Sequence, residues 1–172
     1  MKTTLVALAA LMISGGAFAQ TSDLGMNGVS LRIGMVFPLD NTLSGVNDNF
    51  SNLALEFQSP SGLSKGTDSY FALDYFSKNL GNFGKGSVVP VTYNVRIHQR
   101  STGGTRQTYA YGGLGLAFVD LLGPSETVVC ARGGFGMNIS DHSFIEAGGT
   151  FTAATSASGS FNTIGLAIGY RF

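Results

Sequence analysis

Residues 29–37 read Val-Ser-Leu-Arg-Ile-Gly-Met-Val-Phe, and residues 164–172 read Ile-Gly-Leu-Ala-Ile-Gly-Tyr-Arg-Phe. In the first stretch Val29, Leu31, Ile33, Met35 and Phe37 alternate with Ser30, Arg32, Gly34 and Val36. In the second, Ile164, Leu166, Ile168, Tyr170 and Phe172 alternate with Gly165, Ala167, Gly169 and Arg171. A period of two gathers one set on one face of a strand, whereas a helix would scatter it around its axis.

The same rhythm runs through the middle of the chain. Outer sets Leu53–Phe57, Phe71–Tyr75, Val89–Ile97, Ala110–Phe118, Val129–Phe135 and Ile145–Ala153 each alternate with a second set. Turn chemistry separates them, as at Ser59-Pro60-Ser61-Gly62, Ser101-Thr102-Gly103-Gly104, Gly123-Pro124-Ser125 and Ser156–Ser160. Eight strands are expected, with no helix after the N-terminal segment.

Composition narrows the class. Only 12% of residues are charged, and Lys+Arg equals Asp+Glu at 10 each. That charge content is about half the usual share. Low charge with high apolar content excludes intrinsic disorder. The lack of a basic excess argues against nucleic-acid binding. Gly is 25 of 172 residues without a period of three, which excludes collagen. One Cys excludes a disulfide framework and a Cys-based metal cluster. No cofactor or metal is expected.

Residues 1–19 read as a cleaved secretory leader. Lys2 supplies the positive end, Leu5–Ile13 the apolar core, Ser14-Gly15-Gly16 a helix break and Ala17-Phe18-Ala19 the small residues before the cut. The core is far shorter than the ~20 residues needed to span a bilayer. Residues 20–26 are expected to be a short segment ahead of the folded domain at 27–172.

The two faces differ in a telling way. One carries Val, Leu, Ile, Phe and Tyr. The other mixes Gly, Ala and Ser with Arg32, Glu56, Asp74, Arg96, Arg132, Glu146 and Arg171. A soluble sandwich, or a soluble lipocalin-like barrel, would display abundant Lys, Glu and Thr to water. Large apolar side chains outside and small or charged ones inside suit an eight-stranded antiparallel up-and-down transmembrane β-barrel. The backbone of such a sheet must be paired within the protein, so it has to close. Gly is expected to mark small inward positions, and Lys65, Lys78 and Lys85 to lie in connections.

The chain resembles the small outer-membrane barrels of the OmpX, OmpA-transmembrane and OmpW type over most of 27–172. The most specific element is the end of the chain, where Gly165, Ile168, Tyr170 and the terminal Phe172 resemble the signal read by the outer-membrane barrel assembly machinery. The usual Gly six residues from the end is Ala167 here. Tyr109-Ala110-Tyr111-Gly112-Gly113-Leu114-Gly115-Leu116 is similar to the Gly-rich middle strand of such barrels. The resemblance implies outer-membrane location, with both termini in the periplasm. It implies outer-membrane lipid and lipopolysaccharide, the assembly machinery and periplasmic chaperones as partners.

For function, the seven inward charges are expected to form a salt-bridge network that closes the lumen or gates a narrow pathway. A structural or narrow-pore role follows. The alternatives are a surface-loop adhesin or ligand-binding barrel, or lateral transport of small hydrophobic molecules. No enzyme is expected: His142, Ser143 and Glu146 do not match the His-x-Ser spacing of the barrel lipid A deacylases. Gly113-Leu114-Gly115 lacks the third Gly and the helix of a dinucleotide loop. Cys130 is expected to be buried and inert. Phe37, Phe57, Tyr75 and Tyr170 are candidates for the interfacial aromatic girdles.

Overall fold

The computed structural model describes residues 28–39, 49–59, 66–79, 85–99, 107–121, 124–156 and 159–172. The leader, the segment 20–26 and Lys65 lie outside the described residues. The eight strands are β1 (Val29–Pro38), β2 (Phe50–Gln58), β3 (Thr67–Asn79), β4 (Lys85–Gln99), β5 (Thr108–Asp120), β6 (Glu126–Asn138), β7 (Ser143–Thr152) and β8 (Thr163–Arg171). Each pairs antiparallel with the next, and β8 returns to β1 to close a barrel.

The register fixes the shape of that barrel. A path across the strands from Val29 runs through Phe57, Phe71, Tyr93, Leu114, Ala131 and Phe151. It comes back to β1 at Leu39, whose N–H donates to the Asn162 carbonyl at 2.7 Å. The start and end of the path are about ten residues apart along the chain, a stagger of about 33 Å for a circumference of about 38 Å. The strands therefore tilt by about 40°, and the outward apolar run Val89–Ile97 on β4 stands about 20 Å tall before its side chains are added.

Pairing extends beyond the apolar alternation. Ser77 pairs with Ser87, Lys78 with Gly86 and Asn79 with Lys85. Lys78 and Lys85 are therefore rungs of the β3–β4 ladder and not members of a connection. A ladder needs backbone partners, not apolar side chains, so alternation alone stops short of its end. The same ladder skips Asp74 and Tyr75, opposite Val89 and Pro90. Proline has no N–H to donate, which accounts for a gap at that point.

The outer set faces away from the barrel. Phe135 is 74% exposed and Leu114 68%, values that make sense only if this face meets something other than water. Inside, the expectation of small and charged residues holds over part of the length only. Toward the end opposite the termini the lumen is apolar: Val36, Phe50, Phe76, Val88, Val119 and Cys130 pack together, joined by Phe161 from the β7–β8 connection. The Phe161 ring meets Phe50 at 5.3 Å and Phe76 at 5.4 Å, and its N–H donates to Thr152 Oγ1 at 2.7 Å.

Several glycines lie inward for a steric reason. A Cβ on Gly136 would stand 2.2 Å from the Tyr109 ring, one on Gly148 2.1 Å from the Tyr111 hydroxyl, and one on Gly169 2.1 Å from the Phe144 ring. Tyr109 pairs directly with Gly136, and Phe144 with Gly169. Each ring thus lies flat across the neighbouring strand. Gly112, Gly133 and Gly149 depart from the expectation, because they form a row on the outer face. A Cβ at Gly112 would meet nothing closer than 3.8 Å.

This contrast is testable by urea titration of the refolded barrel in lipid, read by heat-modifiable gel mobility. Gly136→Ala forces Tyr109 to move and is expected to lose about 1–3 kcal/mol. Gly112→Ala has room and is expected to stay within about 0.5 kcal/mol of the parent.

Candidate functional site

Six inward charges from six strands converge in the middle of the lumen. Arg32 on β1, Arg96 on β4 and Arg132 on β6 meet Glu56 on β2, Asp74 on β3 and Glu146 on β7. Arg32 binds Asp74 at 2.6 Å and also Glu146, and lies 3.6 Å from Glu56. Arg96 binds Glu56 at 3.0 Å and reaches Glu146 at 3.5 Å. Arg132 binds Glu146 at 3.1 Å, with Asp74 at 3.6 Å and Glu56 at 3.7 Å. All six are buried. Three guanidinium groups face three carboxylates, so the cluster is neutral as a whole, the condition under which buried charges are tolerated.

Local sequence makes the room. Arg32 pairs across β1–β2 with Ala54, and Ala54 pairs with Asp74, so the ion pair bridges over a methyl group. Glu146 stands between Gly136 and Ala167, Arg132 between Gly113 and Thr150, and Glu56 between Ser30 and Ala72. Long charged side chains can reach the axis because their neighbours in the row are short.

A polar and aromatic shell completes the cluster. Tyr109 donates its hydroxyl to Glu146 at 3.0 Å, and Asn52 donates to Asp74 at 3.2 Å. Arg96 lies over the rings of Tyr70 at 4.4 Å and Tyr109 at 4.7 Å, and Arg132 over Tyr111 at 4.7 Å. Tyr109 and Tyr111 are legible as lumen-packing residues beside their glycines. Tyr70, Asn52 and the apolar layer around Phe161 are not singled out by a search for charge. The signal for Tyr70 and Asn52 is parity, since each is an even number of residues from an inward charge. Phe161 has no such signal, because it belongs to no strand.

Arg171 stands apart from the other six. It lies at the end of the barrel that carries the termini, donates to Asn138 Oδ1 at 2.9 Å and lies over the Phe144 ring at 4.5 Å. Among the described residues no carboxylate pairs with it. The reason is axial position: Arg171 is the last paired residue of β8, opposite Ser30 at the start of β1, beyond the level of the carboxylates. Near it, His98 pairs with Asp68 at 2.6 Å.

The chain end places Gly165 inward and Ile168, Tyr170 and Phe172 outward and exposed. Tyr170 stacks on His142 at 5.6 Å and meets Phe172 edge-on at 5.2 Å. His142 Nδ1 lies 3.1 Å from the Arg171 carbonyl, while Glu146 points into the lumen, so His142, Ser143 and Glu146 share no site. Cys130 is buried in the apolar layer. Phe37 and Tyr170 are exposed on the outer face at opposite ends of it.

The lumen is therefore filled at two levels in series. Around Arg32, Asp74, Arg132 and Glu146 a cavity of about 30 Å³ remains, room for about one water. Beyond it lies the apolar layer around Phe50, Phe76 and Phe161.

Known structures share this architecture. Neisserial surface protein A matches with a TM-score of 0.56 at 8% identity, over 86% of this chain and 98% of its own. The N-terminal barrel domain of Pseudomonas aeruginosa OprF matches with a TM-score of 0.52 at 14% identity, over 85% and 98%. Ail, the attachment invasion locus protein of Yersinia pestis, matches with a TM-score of 0.50 at 17% identity, over 85% and 99%. The fold is that of the small eight-stranded outer-membrane barrels. No protein-family model and no curated protein matches the sequence. The likeness thus rests on three-dimensional shape, as expected where only the parity of each strand is constrained.

The cluster and the isolated Arg171 make different stability predictions. Glu146→Ala leaves three guanidinium groups against two carboxylates and is expected to lose about 3–5 kcal/mol in the urea titration. Arg171→Ala removes one hydrogen bond and a ring contact and is expected to lose about 1 kcal/mol. Equal losses would show that the cluster does not act as a neutral unit.

Proposed function

We propose that this chain is an integral outer-membrane protein that serves as a closed structural barrel of the cell envelope and does not form an open pore. The observation that carries this reading is the sealed lumen. An ion passing through would have to displace the Arg/carboxylate cluster, where the free space is about 30 Å³, and then cross the layer around Phe50, Phe76 and Phe161. Stripping water from an ion in an apolar layer costs several kcal/mol even after relaxation. Because the two obstacles act in series, the charged cluster alone is not a gate.

The same reading supplies the surroundings. The leader at 1–19 is removed on export, periplasmic chaperones carry the unfolded chain, and the assembly machinery engages the end of β8. Both termini then face the periplasm, and the connections 39–49, 80–84, 121–125 and 153–162 face outward. Two of the structural neighbours are a surface protein and an attachment protein by name. An adhesin role here is less well supported, because these connections are short. Lateral passage of hydrophobic molecules is less well supported, since each strand pairs with both of its neighbours in a closed ring and the β3–β4 ladder is interrupted only beside Pro90.

Planar-bilayer recording tests the closed state. The purified protein and Arg132→Ala are both expected to show no steady conductance, whereas Arg132→Ala combined with Phe161→Ala is expected to pass current. Steady current through the unmodified protein would overturn the reading. Cell fractionation tests the location, and recovery wholly in the soluble periplasm would overturn it.

A further inference from the structure

The lumen ends differently on its two sides. Away from the termini it stops at the apolar layer around Phe161. On the terminal side, beyond the charged cluster, it widens into a cup of about 660 Å³. The wall of this cup is polar on most sides. Gln58 comes from β2, Arg96 and His98 from β4, Gln107 from just ahead of β5, Asn138 from β6 and Arg171 from β8. The turn between β6 and β7 adds Ser140 and Asp141.

Charge in the cup is unbalanced around one residue. Arg32, Arg96 and Arg132 share the carboxylates of Glu56, Asp74 and Glu146. Arg171 has no such partner among the described residues, yet its head lies over the same two rings as that of Arg96. Arg171 is 4.5 Å from the centre of Phe144 and 5.7 Å from that of Tyr109, and Arg96 is 6.0 Å and 4.7 Å from them. Two like charges therefore flank one pair of rings, and only one of them is neutralised. The two carboxylates that line the cup are placed elsewhere. Asp68 binds His98 Nε2 at 2.6 Å, and Asp141 stands in the exposed β6–β7 turn. On the Arg171 head, Nη1 donates to Asn138 Oδ1 at 2.9 Å, and Asn138 in turn donates to Gln107 Oε1 at 3.3 Å. Nη2 is buried and makes no hydrogen bond.

We propose that the cup binds a small organic carboxylate, whose acid group stands opposite Arg171 where the chain supplies none. A guanidinium fork matches the two oxygens of a carboxylate. Turning the Arg171 head toward such a ligand also relieves the buried, unpartnered Nη2. Gln58, Gln107 and Ser140 offer amide and hydroxyl groups to an uncharged polar body attached to the acid. Arg96 adds positive potential from the floor of the cup while keeping its own carboxylates. The volume is that of a small-molecule site and exceeds what a lone halide would fill. A free small acid and the C-terminus of a peptide both carry this chemistry. The inference goes beyond the closed-barrel reading, which gives this end of the lumen no ligand.

The test titrates the refolded barrel, in phosphatidylcholine nanodiscs, with succinate and with acetyl-trialanine. The side-chain amide signals of Gln58, Gln107 and Asn138 are followed by NMR. Saturable shifts are expected with at least one of the two acids. The tighter of them assigns the source, a free small acid or a peptide end. Succinamide and the C-terminal amide of the peptide are expected to produce no saturable shift. Arg171→Gln, checked for folding by heat-modifiable mobility, is expected to weaken binding roughly tenfold, and Arg171→Lys to weaken it less. Absence of saturable shifts with both acids would overturn the site. So would unchanged affinity in Arg171→Gln, or equal binding of the amides. Full displacement by equimolar chloride would show an adventitious ion only, and would overturn it as well.

Discussion

A sheet in hydrocarbon has no water to satisfy its edges, so every backbone N–H and C=O of the spanning segment must find a partner in the protein. Here that requirement is met by the β1–β8 seam, which joins Ser30–Pro38 to Thr163–Arg171. Everything inside follows from the number of strands that the seam encloses. Eight strands leave a lumen only as wide as the side chains that fill it. Each inward residue therefore has to fit the inward residues of its neighbours, and the rows across the sheet become the units of packing. Tyr109 over Gly136 and Arg32 over Ala54 are two solutions to the same spatial problem.

Filling such a space with ions is not the most stabilising choice. Matched apolar side chains often do as well or better than buried ion pairs. The chain uses both, an apolar layer around Phe161 and a charged layer around Glu146. Polar inward residues have a second effect before folding. Arg96, Asn94 and Thr92 interrupt what would otherwise be an apolar stretch from Val88 to Ile97. Long unbroken apolar segments favour helical insertion into a membrane. A chain bound for a barrel is better kept from it.

Strand number, strand order of faces and the outward set are legible in the sequence because alternation is a strict consequence of the pleat. The charged cluster is legible for the same reason: Arg32, Glu56, Asp74, Arg96, Arg132 and Glu146 share the inward parity, and a narrow lumen brings them together. What parity does not carry is height along the axis. Arg171 has the right face and the wrong level, and so meets Asn138 and Phe144 in place of a carboxylate. Height depends on the stagger between strands, which is a property of the closed ladder. The ends of β3 and β4 are hidden likewise, because Ser77, Lys78 and Gly86 pair through backbone alone. Phe161 enters the lumen from a connection, where no period exists to reveal it.

The neutral cluster has a consequence for how the protein is made. Its members occur along the chain in the order Arg32, Glu56, Asp74, Arg96, Arg132, Glu146, so positive and negative charges nearly alternate. If hairpins join the growing sheet in chain order, the running total never strays from zero by more than one unit. No intermediate then has to bury a large uncompensated charge. The last of the six, Glu146, meets the first, Arg32, across the position of β8. That contact forms only when the ring is complete, so the final ion pair reports that the final strand is in place.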